Sequence, residues 1–224
     1  MSERISHVRR GFIGKAAAGL TLASIGGNVF GQGVARGLGA TAFSGVRQIR
    51  AGQLDVGYFE FGPAGGPPVV LLHGFPYDVH SYIEVAPMLA ARGCRVIVPH
   101  LRGHGSTRFL DSDEPRSGQQ GAIGADVIDL MDALKLPHAV LAGYDWGGRA
   151  ACVVAALWPE RCRALVSVNS YLIQDIAKAA LPLPAKVEWG LWYQHYFQSE
   201  RGRAGLAANR RDIARILWKN NSPT

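Results

Sequence analysis

The stretch Leu141-Ala142-Gly143-Tyr144-Asp145-Trp146-Gly147-Gly148-Arg149 decides the fold. An apolar strand pattern from His138 to Ala142 runs into an aspartate framed by Gly143 and Gly147, and a helical pattern follows at once. A strand that turns directly into a helix lifts the central side chain out of a sheet and leaves it at a helix N-terminus. This is the layout of a nucleophile elbow, G-x-Nuc-x-G. Glycine is expected on both flanks because it enters tight backbone conformations without steric cost.

Outward from this stretch, strands and helices alternate. Val46 to Arg50 and Leu54 to Phe61 read as two strands of a hairpin. Pro67 to His73 is a short continuous apolar run, as in a strand buried on both faces of a parallel sheet. Tyr82 to Arg92 is predicted helical, Cys94 to His100 a strand, and Arg102 to Thr107 a loop. Gln119 to Leu136 carries helical spacing in Ile123, Val127, Leu130, Met131 and Leu134. A helix from Gly147 to about Trp158 follows the elbow, then a strand over Ala164 to Val168. The alternation implies an α/β fold with a mostly parallel, doubly wound sheet and right-handed crossovers.

After Asn169 the style changes. Pro182 and Pro184 punctuate a linker, followed by Trp189, Trp192, Tyr193, Tyr196 and Phe197 and a basic helix from about Ala204 to Lys219. This region reads as an inserted helical lid. The expected divisions are 43–170 for the N-terminal part of the core and 171–224 for a partial lid.

A carboxylate nucleophile at Asp145 would attack an sp³ carbon and form an alkyl ester, not an acyl-enzyme. That points towards opening of epoxides or of carbon–halogen bonds. Hydrolysis of the ester then needs oxyanion donors and a general base. The structural alternative for Asp145 is a helix N-cap, where aspartate is favoured.

His73-Gly74-Phe75-Pro76 ends one strand, Arg102-Gly103-His104-Gly105 follows the next, and Gly143-Tyr144-Asp145-Trp146-Gly147 ends the third. In order and spacing these segments resemble the α/β-hydrolase family, in the branch of epoxide hydrolases and haloalkane dehalogenases. The likeness extends over about residues 46–219. It implies Asp145 as nucleophile and the backbone N–H groups of Phe75 and Trp146 as oxyanion donors. It also implies His73, Gly74, Pro76, Gly143 and Gly147 as structural motif residues, with His73 and His104 holding loops.

Tyr193, in Trp192-Tyr193-Gln194-His195-Tyr196-Phe197, resembles the lid tyrosine of epoxide hydrolases, a ring-opening acid that protonates the departing alkoxide. Packing as a lid aromatic is the alternative role for Tyr193, and Tyr196 is the second candidate acid. Dehalogenation would instead use the Trp146 indole as a halide donor, and the turn that carries Phe75 offers no second one. Epoxide opening is therefore the leading reaction and alkyl-halide cleavage the alternative. A non-enzymatic member binding small apolar ligands under the lid is the third reading. The resemblance implies a small apolar substrate and no cofactor or metal.

The family's His base and partner acid are not found: Asn169-Ser170 stands where some relatives carry the acid, and Asp175 lies further along. The chain is therefore expected to be a fragment of a longer enzyme, or a naturally short protein, without full turnover. An apolar sheet edge is expected to be left open.

Arg9-Arg10-Gly11-Phe12-Ile13-Gly14-Lys15 resembles the twin-arginine export motif, and Ala40-Thr41-Ala42 offers a cleavage site. Residues 1–42 are thus expected to be an export signal, and the protein periplasmic or secreted; a plain basic terminus is the alternative. Lys15, Thr21, Ser24 and Asn28 make the segment a poor membrane span. Of the net charge of +7, the region to residue 45 holds Arg4, Arg9, Arg10, Lys15 and Arg36 against Glu3. The late basic residues sit at spacings suited to a helix's wet face, so nucleic-acid binding is not expected. Cys94, Cys152 and Cys162 match no metal or redox spacing and are expected to be buried free thiols.

Overall fold

Antiparallel pairing of β1 (Arg47–Ala51) with β2 (Leu54–Phe61) makes the expected hairpin, closed around Gly52 at φ 54°. The computed structural model describes residues 43, 45–170, 175 and 177–222; the expected export signal at 1–42 lies outside them. Strand β2 runs antiparallel to β4 (Arg95–Pro99), and from there the sheet is parallel through β3 (Pro68–Leu72), β6 (Ala139–Tyr144) and β7 (Cys162–Val168). The order is β1-β2-β4-β3-β6-β7, with the two-residue β5 (Arg108–Phe109) beside β2.

Side chains alternate across the sheet, so each central strand feeds two cores. Val70, Leu72, Ile97 and Leu141 face α2 (Gln120–Ala133) and α3 (Asp145–Leu157). Val69, Leu71, Val96 and Val98 face a 3-10 turn over Val79–Tyr82 and α1 (Val85–Ala90). Leu72 and Leu141 are fully buried, and truncating either to alanine is worth about 2–5 kcal/mol.

Three expectations are corrected, and one short strand was not anticipated. The helix expected over 82–92 is split into the 3-10 turn and the six-residue α1, with Pro87 in the first turn of α1. The turn is fixed at its start by Asp78, whose carboxylate accepts from the His80 N–H at 3.0 Å, and beyond it by the Tyr82 hydroxyl on the Leu72 carbonyl at 2.8 Å. Strand β5 carries no periodic signal because it exists only by pairing Leu54 with Phe109. Only Cys152 is buried; Cys94 and Cys162 are half-buried, and all three are free.

The basic helix expected from about Ala204 begins earlier. Two short helices, α4 (Ala185–Gly190) and α5 (Trp192–Gln198), precede α6 (Glu200–Asn221). Ser199 caps α6 by accepting the Gly202 N–H at 3.0 Å, which sets the start, and Asn209 kinks it at φ −129°.

Strand β7 is the outer strand on its side of the sheet among the described residues, and Val166 and Val168 are 51% and 56% exposed. On the α1 side an open apolar groove of about 580 Å³ runs over Val69, Leu71, Val140, Ala142, Val166 and Val168.

Candidate active site

The β3–β6 register, with Leu72 opposite Gly143, puts His73-Gly74-Phe75 beside Tyr144-Asp145 at the carboxyl ends of parallel strands. Open α/β sheets bind ligands at that edge. The Phe75 N–H donates to Asp145 Oδ1 at 3.0 Å, although the two residues are 70 positions apart. Asp145 is the first residue of α3, and the cap position is held by Tyr144, whose side chain makes no capping bond. Its carboxylate is therefore engaged by a neighbouring loop, and the capping role does not apply. Trp146 follows it in the first turn, where a helix leaves N–H groups without intrahelical acceptors.

The strain sits on the aspartate. Asp145 has φ 49°, a left-handed conformation costing a non-glycine residue about 1–2 kcal/mol. Gly143 and Gly147 are not left-handed; they are needed for space. A Cβ on Gly147 would lie 2.1 Å from the Leu72 carbonyl oxygen, and one on Gly143 would lie 2.5 Å from the Gly147 carbonyl carbon. The expected reason for the two glycines is thus replaced by close approach of backbone to backbone.

The second carboxylate oxygen, Oδ2, lies 3.5 Å from Arg149 Nη2, one helical turn along α3. The Arg149 guanidinium lies 4.5 Å from the centre of the Trp146 ring. Ser170, where the strand-end acid was sought, donates its hydroxyl to the Asp145 carbonyl at 3.1 Å.

His73 is fully buried. Its Nε2 accepts the Leu101 N–H at 3.1 Å, and its Nδ1 faces the Gly74 carbonyl at 3.2 Å, which together fix the neutral Nδ1–H tautomer. Burial, and then the neighbouring His104 at 4.7 Å between ring centres, lower its pKa to about 4. It ties the Phe75 turn to the next loop. That loop is anchored by Arg102, buried in a two-bond fork with Asp126 of α2 at 2.6 Å each. Pro76 follows a cis peptide bond.

None of the described histidines is bonded to Asp145. His80 pairs with Asp78 at 3.0 Å, His195 with Glu188 at 3.3 Å, and His138 stands 3.5 Å from Arg163. His100 packs edge-on against Phe59.

The helices α5 and α6 set Tyr193 and Tyr196 in different surroundings. Tyr193 stacks on Phe75, with ring centres 5.3 Å apart, and Phe197 meets the same ring edge-on at 6.2 Å. The Tyr196 hydroxyl is turned into the lid, where a Cβ on Gly205 would come within 1.9 Å of it. The far end of α6 is tied down by Tyr77, whose hydroxyl meets the Asn221 carbonyl at 3.1 Å and Ser222 Oγ at 2.8 Å.

Arg149 and Asp126 were not assigned from sequence. Both left a signal: Arg149 stands four residues from Asp145, and Asp126 interrupts the apolar stripe of Ile123, Val127 and Leu130. Among the described residues no group of His, Cys, Asp and Glu side chains is arranged to hold a metal ion. No described helix is long and apolar enough to cross a membrane.

Comparison with known proteins follows the geometry. The family profile described as alpha/beta hydrolase fold matches residues 67–217. A solved structure of a protein provisionally assigned as an epoxide hydrolase from Klebsiella pneumoniae superposes with a TM-score of 0.76 at 54% identity, over 80% of this chain and 59% of that one. Epoxide hydrolase B of Mycobacterium tuberculosis is 30% identical over 153 residues, 61% of this chain and 41% of its own length. The bifunctional epoxide hydrolase 2 of Sus scrofa is 32% identical over 133 residues, 59% of this chain and 24% of its own length. The chain thus spans less than two thirds of each of these relatives. With its elbow at the carboxyl edge of a mostly parallel sheet, it belongs to the α/β-hydrolase fold family, in the branch of the epoxide hydrolases.

Proposed function

We propose that Asp145 opens an epoxide by forming an alkyl ester. The observation that carries this reading is the Phe75 N–H on Asp145 Oδ1, which leaves Oδ2 as the attacking oxygen. Oδ2 attacks a ring carbon, the carbon–oxygen bond breaks, and its electron pair goes to the epoxide oxygen. Tyr193, stacked over Phe75, is the group that gives that oxygen a proton. In ester hydrolysis the tetrahedral intermediate would carry its charge on Oδ1, towards the Phe75 and Trp146 N–H groups. No described histidine is bonded to Asp145, and no base is assigned to the second step.

Intact-mass measurement tests the reading. A chain incubated with an epoxide should gain the mass of one whole epoxide, and Asp145→Asn should not. Repeated turnover to diol would show that the chain supplies a base for the second step. The carbon–halogen alternative rests on the half-buried Trp146 beside the nucleophile; an adduct from a haloalkane alone, formed with loss of halide, would favour it. No adduct with either favours a ligand-binding member without catalysis.

A further inference from the structure

We infer that Arg149 makes this a site for an epoxide carrying a carboxylate beside the ring. The inference rests on Asp145 as nucleophile and goes further, to the substrate's charge. Oδ1 is held by the Phe75 N–H, so the attacking oxygen is Oδ2, and that is the oxygen 3.5 Å from the Arg149 guanidinium. A fixed cation therefore stands at the edge where the electrophilic carbon must arrive.

The fork is held in place. The Arg149 side chain is only 17% exposed and lies across the Trp146 ring at 4.5 Å, so it cannot swing freely into water. Its α3 position, one turn from Asp145, keeps it on the same helix face.

For a neutral epoxide this arrangement works against reaction. The ion pair stabilises the resting carboxylate, and that stabilisation fades as charge leaves Oδ2 for the epoxide oxygen; interactions stronger in the ground state than in the transition state slow a reaction. A substrate carboxylate changes the balance. It takes up the guanidinium in a charge-assisted contact, releases Oδ2 from its partner, and sets the neighbouring ring carbon against the freed oxygen. The lid points the same way. Helix α6 carries Arg201, Arg203, Arg210, Arg211, Arg215 and Lys219 against Glu200 and Asp212, an exposed cationic surface that raises the local concentration of anions around the chain.

The bonds balance as in the parent reaction. Oδ2–carbon forms, carbon–oxygen of the ring breaks, the ring oxygen takes a proton, and the carboxylate is unchanged.

The test compares glycidate with glycidamide, which share the oxirane ring and differ in the charge of the group beside it. Labelling of the 224-residue chain is followed by intact mass, and each rate is divided by that probe's rate with free acetate. Glycidate should label at least about tenfold faster, the order expected from one charge-assisted contact. Arg149→Met should bring the two rates together, and Arg149→Lys should keep much of the preference. Equal or faster labelling by glycidamide, or a preference that survives in Arg149→Met, overturns the inference while the nucleophile reading stands. No adduct from either probe overturns both. The wild-type ratio decides the matter even if the methionine variant does not fold.

Discussion

A Cβ placed on Gly74 would lie 2.6 Å from the Cβ of Asp145 and 2.9 Å from its Oδ1. The turn at Gly74 and the side chain of Asp145 are thus in backbone-to-side-chain contact, with no space for a methyl group. Gly74→Ala is expected to push the carboxylate off the Phe75 N–H and to slow epoxide labelling about tenfold or more, since small misplacements of reacting groups are costly. Intact-mass kinetics check this, and wild-type labelling in the variant would show that the contact yields.

Arg102 and Asp126 form a buried pair whose worth appears when one partner is lost. Asp126→Ala is expected to cost about 3–5 kcal/mol by leaving the guanidinium buried without a carboxylate. Denaturant unfolding measures it. Adding Arg102→Met to that variant should recover part of the loss; a double variant no more stable than Asp126→Ala would show that the packing of the loop, not the charge, carries the effect.

His73 makes stability depend on pH. Its folded pKa of about 4 lies below the ordinary histidine value of 6.5, so the folded state prefers neutral imidazole. The stabilisation is complete above the unfolded value and is lost as pH falls from 6.5 towards 4. Burial lowers the pKa of His100 and His104 as well, with the same sign. About 3 kcal/mol should disappear over that interval from His73 alone. Flat unfolding free energies from neutral to acidic pH would contradict the assignment.

Tyr193 and Tyr196 should respond in opposite ways. Tyr193→Phe keeps the stack on Phe75 but removes the proposed proton donor, and should slow epoxide labelling by about a hundredfold. Labelling by a haloalkane, which needs no proton, should hardly change. Tyr196→Phe removes a hydroxyl lodged against Gly205 and should lower the melting temperature while sparing the chemistry. Equal loss in both variants would reduce Tyr193 to a packing residue.

Export is tested by paired Arg9→Lys and Arg10→Lys changes in a bacterial host. The variant should be retained in the cytoplasm while the parent is exported; parallel localisation of both removes the signal reading.

The sheet was legible because its central strands are apolar on both faces and its elbow is flanked by glycines. Val69 to Leu72 and Val96 to Val98 could hardly be anything but buried strand. What escaped was made by partners distant in sequence. Strand β5 exists through Leu54, and the 3-10 turn is braced from Leu72. The pairing of Arg102 with Asp126 required knowing that α2 passes over the loop. At the elbow the pattern located Asp145 and its flanking glycines, yet the physical reason differed: the positive φ belongs to the aspartate, and the glycines answer to neighbouring carbonyls. Arg149 was in plain view, four residues on, but its meaning depended on which carboxylate oxygen remained outward.

Phe75 ends two structures at once. Its ring is the surface on which Tyr193 and Phe197 of the lid rest, and its N–H grips the carboxylate of Asp145. Under the proposed reaction, any displacement of the helix carrying Tyr193 and Phe197 would be felt at the residue that holds the Asp145 carboxylate. Substrate entry and the setting of the proposed nucleophile would then be coupled through a single peptide unit.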